Sequence, residues 1–348
     1  MNIKNRLTSS LVSILISLFI LTGCSNSINK STISNNLTFE VEKNYTELGI
    51  RGIMEELTSD NYLSRVVGTD ENTRTQEFIK DYFEYVGLEP FNNDTFYHEV
   101  NLTNEMRRIF NPNEKNNNEV NNIIGVIKGK DSSKAVVISA HLDHVTVRER
   151  IQETANINDS SQIKITKIEG AIDNASGVSV LLESAKDLAS KYKFKKPKYD
   201  IIFAAFNAEE LGLIGSSKFV DDFKDKYDSW YNINIDCIGL KGEGGLAVKN
   251  SDSKSQPLYD DFIEILEENN IYYEMVPYAR NKEGRIVGSS DHMSFRRNND
   301  ASLVVGQDGI VGIVHTKEDN MSIVDFDLIE NTKNALVDFI IKNNDKEY

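Results

Sequence analysis

Residues 135–144 read AVVISAHLDH, and residues 201–210 read IIFAAFNAEE. Each is a run of six apolar or small residues that stops at a cluster of side chains able to hold a metal or move a proton. A short continuous apolar run signals a strand buried on both faces, as in a parallel sheet. Tyr231–Ile235 and Leu303–Val305 read as two more strands, and Ile123–Ile127 as another. Between them the apolar spacing turns helical. Val178, Leu181, Leu182, Ala185, Leu188 and Ala189 form one stripe. Ile50, Ile53, Met54 and Leu57 form a second, and Phe78, Ile79, Tyr82, Phe83 and Val86 a third, with Gly87 where a helix C-cap is expected. Pro257 opens a helix with Leu258, Phe262, Ile265 and Leu266 inward, and Leu336, Phe339 and Ile340 close the chain on a last helix. Buried strands separated by amphipathic helices predict an α/β fold, a three-layer sandwich whose central, largely parallel mixed sheet is flanked by helices.

The rest of the chain sets limits on function. It has 348 residues, 39% apolar and 27% charged, with a net charge of −15. A field of that sign repels phosphate backbones, which argues against a nucleic-acid partner. Two cysteines build no disulfide framework. Lys4 and Arg6 precede the apolar run Leu11–Leu21, which is too short to span a bilayer and suits a signal peptide. The run ends in Leu21-Thr22-Gly23-Cys24, which resembles a bacterial lipobox. Residues 1–23 are therefore expected to be a lipoprotein signal peptide, and 24–45 a flexible tether from a lipidated Cys24. The mature chain would sit on the outer face of a bacterial cell membrane. Cleavage would remove Lys4 and Arg6 and no acid, taking the net charge from −15 to −17. No internal repeat and no Pro/Gly-rich linker divides residues 46–348, which are expected to form one catalytic domain. Residues 111–122 read as a polar loop, and the lysine-rich run 191–198 as a solvated loop between helix and strand.

Open α/β sheets bind ligands at the carboxyl ends of their strands, and that edge carries the chemistry. After AVVISA comes His141-Leu142-Asp143-His144, and after IIFAAF comes Asn207-Ala208-Glu209-Glu210. Asp236 follows the strand at 231–235, Asp173 precedes the helix at 178–189, and His315 stands in Val314-His315-Thr316. Taken singly, each has an ordinary reading, such as a loop histidine, a helix N-cap or a solvated strand end. Together, His141, Asp173, Glu210, Asp236 and His315 are five metal-ligand types on one sheet edge. Mixed imidazole and carboxylate donors suit zinc, with manganese or cobalt able to substitute.

AHLDH, GAIDNASGV, FNAEELGLIGS, NIDCIG, SSDHMSF and VHTKED resemble, in that order, the motifs of the co-catalytic zinc aminopeptidase family. That family includes bacterial leucyl aminopeptidase, aminopeptidase Y, the catalytic domain of glutamate carboxypeptidase and glutaminyl cyclase. The resemblance runs over residues 45 to 345. It implies two zinc ions bridged by Asp173, with His141 and Glu210 completing one site and Asp236 and His315 the other. It implies Glu209 as general base and Asp143 as the residue that hydrogen-bonds His141 and fixes its tautomer. The substrates would be peptides with a free N-terminus. His98, His144 and His292 receive no ligand role, and Asp291 and His292 read as structural support. Residues 145–169 read as a hairpin or lid beside the site. Arg296-Arg297-Asn298-Asn299-Asp300 departs from the glycine-containing turn usual at that point, which bears on the substrate wall.

Three functions follow in order. The first is a lipid-anchored metallo-aminopeptidase. The second is a glutaminyl cyclase, an acyltransferase that works with one zinc, so five retained ligands count against it. The third is an inactive binding lipoprotein on the same scaffold, against which the intact ligands and Glu209 argue.

Overall fold

Ile201, Phe203 and Ala205 of the strand Tyr199–Phe206 point into one hydrophobic core, and Ile202, Ala204 and Phe206 into a second. One strand feeds two cores because successive side chains leave opposite faces of a sheet. That is the three-layer arrangement the sequence predicts. The computed structural model describes residues 45, 48–103, 119–150, 163–242, 244–250, 252–274 and 288–348. The signal peptide, Cys24 and tether residues 25–44 lie outside the described residues, whereas Tyr45, expected to end the tether, packs its ring 6.0 and 5.7 Å from those of Phe78 and Tyr82 and so belongs to the folded domain.

The strands are β1 (Glu89–Pro90), β2 (Tyr97–Glu99), β3 (Asn121–Ile127), β4 (Asp131–His141), β5 (Val147–Arg150), β6 (Ile163–Thr166), β7 (Tyr199–Phe206), β8 (Ser229–Ile235), β9 (Leu246–Asn250), β10 (Tyr273–Glu274) and β11 (Ala301–Gln307). The helices are α1 (Gly49–Leu57), α2 (Asp70–Val86), α3 (Ser176–Tyr192), α4 (Ile214–Phe223), α5 (Gln256–Glu268), α6 (His292–Arg297) and α7 (Phe326–Asn343). The main sheet runs β1-β3-β7-β4-β8-β11-β9-β10, with β2 also on β3. Its centre, β7-β4-β8-β11, is parallel, whereas β3 and β9 pair antiparallel with β7 and β11. The sheet is thus mixed and largely parallel, as expected.

Helices α1, α2, α3, α5 and α7 cover one face through Ile53, Phe78, Leu181, Phe262 and Phe339. Helices α4 and α6 cover the other through Phe219 and Phe295. Local signals fix the helix ends. The Thr69 side chain accepts the Asn72 amide at the start of α2, and Gly87 closes it at φ 83°. β7 pairs with one edge of β4 and β8 with the other. The connections leaving β4 and β7 therefore run in opposite directions from the carboxyl edge, and a crevice opens there.

One expectation shifts. Asn121 and Asn122 belong to β3 and are buried, not part of the polar loop, of which 111–118 lie outside the described residues. Their amides replace water with protein partners: Asn121 Nδ2 donates to Gln76 Oε1 at 3.1 Å, and Asn122 Nδ2 to the Gly215 carbonyl at 2.9 Å. Residues 145–169 do contain a hairpin, since β5 and β6 pair antiparallel, and its tip 151–162 lies outside the described residues. Among the described residues no helix is long and apolar enough to cross a membrane.

Candidate metal centre

β4 ends at His141 because the Leu142 amide donates to the Phe206 carbonyl of β7 and closes the ladder. β7 ends level with it at Phe206, the register partner of His141, and Asn207 then fixes the corner. Its amide donates to Asn122 Oδ1 at 2.8 Å, and its side chain exchanges two hydrogen bonds with that of Asn72. Ala208 turns the chain at φ 59°. The Glu209 and Glu210 amides then donate to the two oxygens of Asp143, at 3.1 and 3.2 Å. Asp143 is fully buried, so its carboxylate braces the whole corner.

Asp173 sits in the tight turn Ala171–Ala175, entered through Gly170 at φ 60°. The Ile172 and Asp173 amides donate to the two oxygens of Asp319, at 2.6 and 3.1 Å. Asn174 Oδ1 accepts the Gly177 and Cys237 amides, and Asn174 Nδ2 donates to the Ile235 carbonyl. That amide ties the Asp173 turn to the end of β8 and so places Asp236. Beneath them lies Arg65, 1% exposed. Its guanidinium donates to the carbonyls of Leu57, Leu142, Glu169 and Gly170 at 2.8 to 3.2 Å. A planar fork of donors suits this clamping of several loops at once. Burial pulls its pKa down, while the charges of Asp319 and Asp173 push it back up.

The five sequence-predicted donors converge around Asp173. Asp173 Oδ1 is 3.2 Å from His141 Nε2, which is 3.3 Å from Asp236 Oδ1. Asp173 Oδ2 is 3.0 Å from His315 Nε2, which is 3.0 Å from Glu210 Oε1. His144 joins the second group, with Nδ1 at 3.3 Å from Glu210 Oε1 and 3.8 Å from Asp173 Oδ2. Two donors on one tetrahedral zinc, each about 2.0–2.1 Å from it, lie about 3.3 Å apart, so the spacing fits a metal shell. Two groups of possible ligands thus form, His141–Asp173–Asp236 and His144–Asp173–Glu210–His315. The donor chemistry fits as well. Asp173, Glu210 and Asp236 are three clustered carboxylates, a density of charge that calls for a cation.

The pairing differs from the sequence-based expectation. His141 goes with Asp236, and Glu210 with His315. β4 and β8 are adjacent strands, which brings His141 to Asp236, while Glu210 lies beyond the β7 corner on the side of the His315 loop. Asp143 also differs: its carboxylate is turned to the two amides, and His141 Nδ1 meets the Asp143 main-chain carbonyl at 3.2 Å, with the nearer carboxylate oxygen at 3.9 Å. His144, Arg65 and Asp319 carry parts that the sequence reading left unassigned. His144 stands in AHLDH and Asp319 in VHTKED, so both motifs held a signal. His98 is held by Asn122 and Asp222, away from the donors.

Glu209 stands beside both groups as a member of neither. Burial pushes its carboxyl well above the usual range, and Asp291, Glu210 and Asp236 add to that. Asp291 is itself raised to about 7, by burial first and then by Asp143 and Asp236. Buried His292 is lowered to about 3 by desolvation and the Lys249 charge. A cavity of about 600 Å³ opens over the donors and is walled by Leu213, Ile310 and Val314, with Arg297 at its rim. It has room for a peptide end.

Peptidase family M28 matches residues 122–340, well over half of the chain. The chain belongs to peptidase family M28. Aminopeptidase YwaD of Bacillus subtilis (strain 168) is 33% identical over 180 residues, which cover 50% of this chain and 32% of that protein. The chain spans a third or less of the length of the curated relatives it matches. Among solved structures, the LapA aminopeptidase of Legionella pneumophila superposes with a TM-score of 0.62 at 20% identity, covering 86% of this chain and 72% of that one. A Porphyromonas gingivalis glutaminyl cyclase superposes with a TM-score of 0.61 at 17% identity, covering 86% and 96%. At those identities the two likenesses concern the fold. M28 is a metal-dependent family, in keeping with the donor set.

Proposed function

We propose that this chain is a metal-dependent exopeptidase, an aminopeptidase that removes N-terminal residues from peptides. The observation that carries the reading is the division of Asp173, with one oxygen toward His141 and the other toward His315. A carboxylate shared in this way suits two divalent ions, of which zinc fits the donors best. Bound there, the ions would supply Lewis acidity to the scissile carbonyl and make a water acidic enough to lose a proton near neutral pH. Glu209 is the general base: it takes that proton and hands it to the leaving amine. Asp143 holds the backbone of Glu209, so that the base and its ligand neighbour keep their separate directions. Arg65 and Asp319 hold the Asp173 turn. The apolar wall accepts the side chain of the N-terminal residue.

A glutaminyl cyclase is the second reading, since the fold is shared with one such enzyme. Aminoacyl anilides, their N-acetylated counterparts and an N-terminal glutaminyl peptide separate the two. Aniline should be released from the free-amine substrates alone, and a chelator should abolish release. Elemental analysis should find two ions per chain, and Asp173→Ala should lose both. One tight ion together with cyclisation of the glutaminyl peptide would overturn the aminopeptidase reading. The same proposal includes a lipid on Cys24 and an exported, membrane-anchored chain, for which mass spectrometry of wild type and Cys24→Ala is the test.

A further inference from the structure

Lys191-Tyr192-Lys193-Phe194-Lys195-Lys196-Pro197-Lys198 holds five lysines and no acid, in a chain with a net charge of −15. The segment leaves the last turn of α3 and enters β7. Phe194 is 93% exposed, more than any other large apolar side chain described. All five lysines are exposed as well. Among the described residues none of their ammonium groups meets a carboxylate, whereas Lys80, Lys218, Lys342 and Lys346 each hold one. The segment is nevertheless anchored. Pro197 is buried, the Lys130 amide donates to the Pro197 and Lys198 carbonyls, and Asn344 Oδ1 accepts the Lys198 and Tyr199 amides. Lys130, also exposed, adds a sixth ammonium from the turn before β4. Asp131, the first residue of β4, accepts from Ser133 and lies within electrostatic reach of Lys198, so one acid tempers the rim of an otherwise basic loop.

The position matters as much as the composition. Lys198 precedes the first residue of β7, and the Glu209–Glu210 corner follows its last. An eight-residue strand is about 26 Å long. The lysine loop and the candidate metal centre therefore stand at opposite ends of the sheet.

We propose that this loop docks the protein on an anionic lipid surface, with Phe194 among the headgroups, the lysines on the lipid phosphates, and the metal-site crevice turned toward solvent. An apolar ring at the tip of a basic loop matches both layers of a membrane interface, the charged one and the greasy one. A nucleic acid would need a basic track along its backbone, and the negative field of the rest of the chain opposes one. Each lysine near an anionic surface strengthens binding about fivefold, so several together suffice for reversible docking. The contact depends neither on the peptidase reading nor on a lipid at Cys24.

The test places a reporter in the loop of the full chain. The native Trp230 is buried and stacked near Phe219, so its emission is indifferent to lipid. Phe194→Trp should show a blue-shifted emission, and quenching by brominated lipid, on vesicles of equal parts phosphatidylcholine and phosphatidylglycerol. Vesicles of phosphatidylcholine alone should give neither, even where another part of the chain holds the protein to them. Adding Lys193→Glu, Lys195→Glu and Lys196→Glu should abolish the shift while anilide hydrolysis stays unchanged, and raised salt should weaken it. Emission that remains that of a hydrated indole on the anionic vesicles overturns the proposal. So does a response to a thymidine oligonucleotide without one to lipid, or an equal response on both kinds of vesicle.

Discussion

Glu209 and Glu210 carry the same side chain and face opposite electrostatics. Burial and surrounding carboxylates hold Glu209 up. For Glu210, burial and the Asp173 charge push in the same direction, but hydrogen bonds to His144 and His315 outweigh them and hold it below its ordinary value. A group that binds protons suits a base, and one that stays ionised suits a ligand. The two amide substitutions should therefore fail differently. Glu209→Gln should keep its metal and lose about 10²–10⁴ in kcat. Glu210→Gln should lose metal from the Asp173–His315 group and be partly rescued by excess zinc. Bound metal and kcat across a zinc titration distinguish the two, and the reverse pattern would exchange the roles. Asp319→Ala acts one step removed. It leaves the Ile172 and Asp173 amides without their acceptor, so metal affinity should fall about 10–100-fold. Because no ligand is lost, kcat should recover at saturating metal. Loss of kcat that no metal restores would place Asp319 in the chemistry itself.

The corner between β7 and α4 shows how an element positions a residue. A Cβ on Gly215, near the start of α4, would lie 2.1 Å from the Asn207 carbonyl oxygen and 2.4 Å from Asn122 Oδ1. The helix must come that close for Asn122 to brace both. Gly215→Ala should cost about 1–3 kcal/mol by overpacking and should also weaken metal binding, because it displaces the corner carrying Glu210. Gly87→Ala makes a control. It has open space but φ +83°, so its cost of about 1 kcal/mol should leave metal affinity unchanged. Urea midpoints and zinc titrations of both variants check the pair, and equal metal affinity in both would detach the corner from the site. At this scale the sequence was most legible. Apolar runs marked β4 and β7, helical stripes marked α1 to α3, and the residues after each strand named the donors. What spacing along the chain did not carry was which donors share an ion. That depends on β8 lying beside β4, and on where a loop 79 residues beyond Asp236 returns His315. Arg65 was equally hidden, because its partners are carbonyls of three separated segments, Leu57, Leu142 and Glu169–Gly170, and any residue supplies a carbonyl.

Across the whole molecule, one edge of the sheet gathers buried acids that repel one another. Asp143, Asp173, Asp236 and Asp291 are all buried, with Glu209 and Glu210 among them. Arg65 and the imidazoles offset part of that charge, and Asp143 and Asp319 each accept two amides, but the cluster is left in excess of its partners. Folding such a site without a cation is costly, since like charges in a poorly solvated space do not ionise together. Metal binds the folded cluster and finds no such preformed site in the unfolded chain, so its affinity appears as stability. At a thousandfold over its dissociation constant, an ion would add about 4 kcal/mol. For a domain of this size, that corresponds to a fall in Tm of at least about 5 °C on chelation. The loss should concentrate where the donors meet, so hydrogen exchange should quicken in the Asp173 turn and the Glu209–Glu210 corner before it does in β4 or β7. Asp173→Asn supplies the contrast. It removes the negative charge that both groups share, so it should lower the metal-bound Tm and leave little further for a chelator to take away. Thermal melts of both proteins with zinc and with chelator give the answer. A wild-type Tm that ignores the chelator would mean that these carboxylates are held by the protein alone.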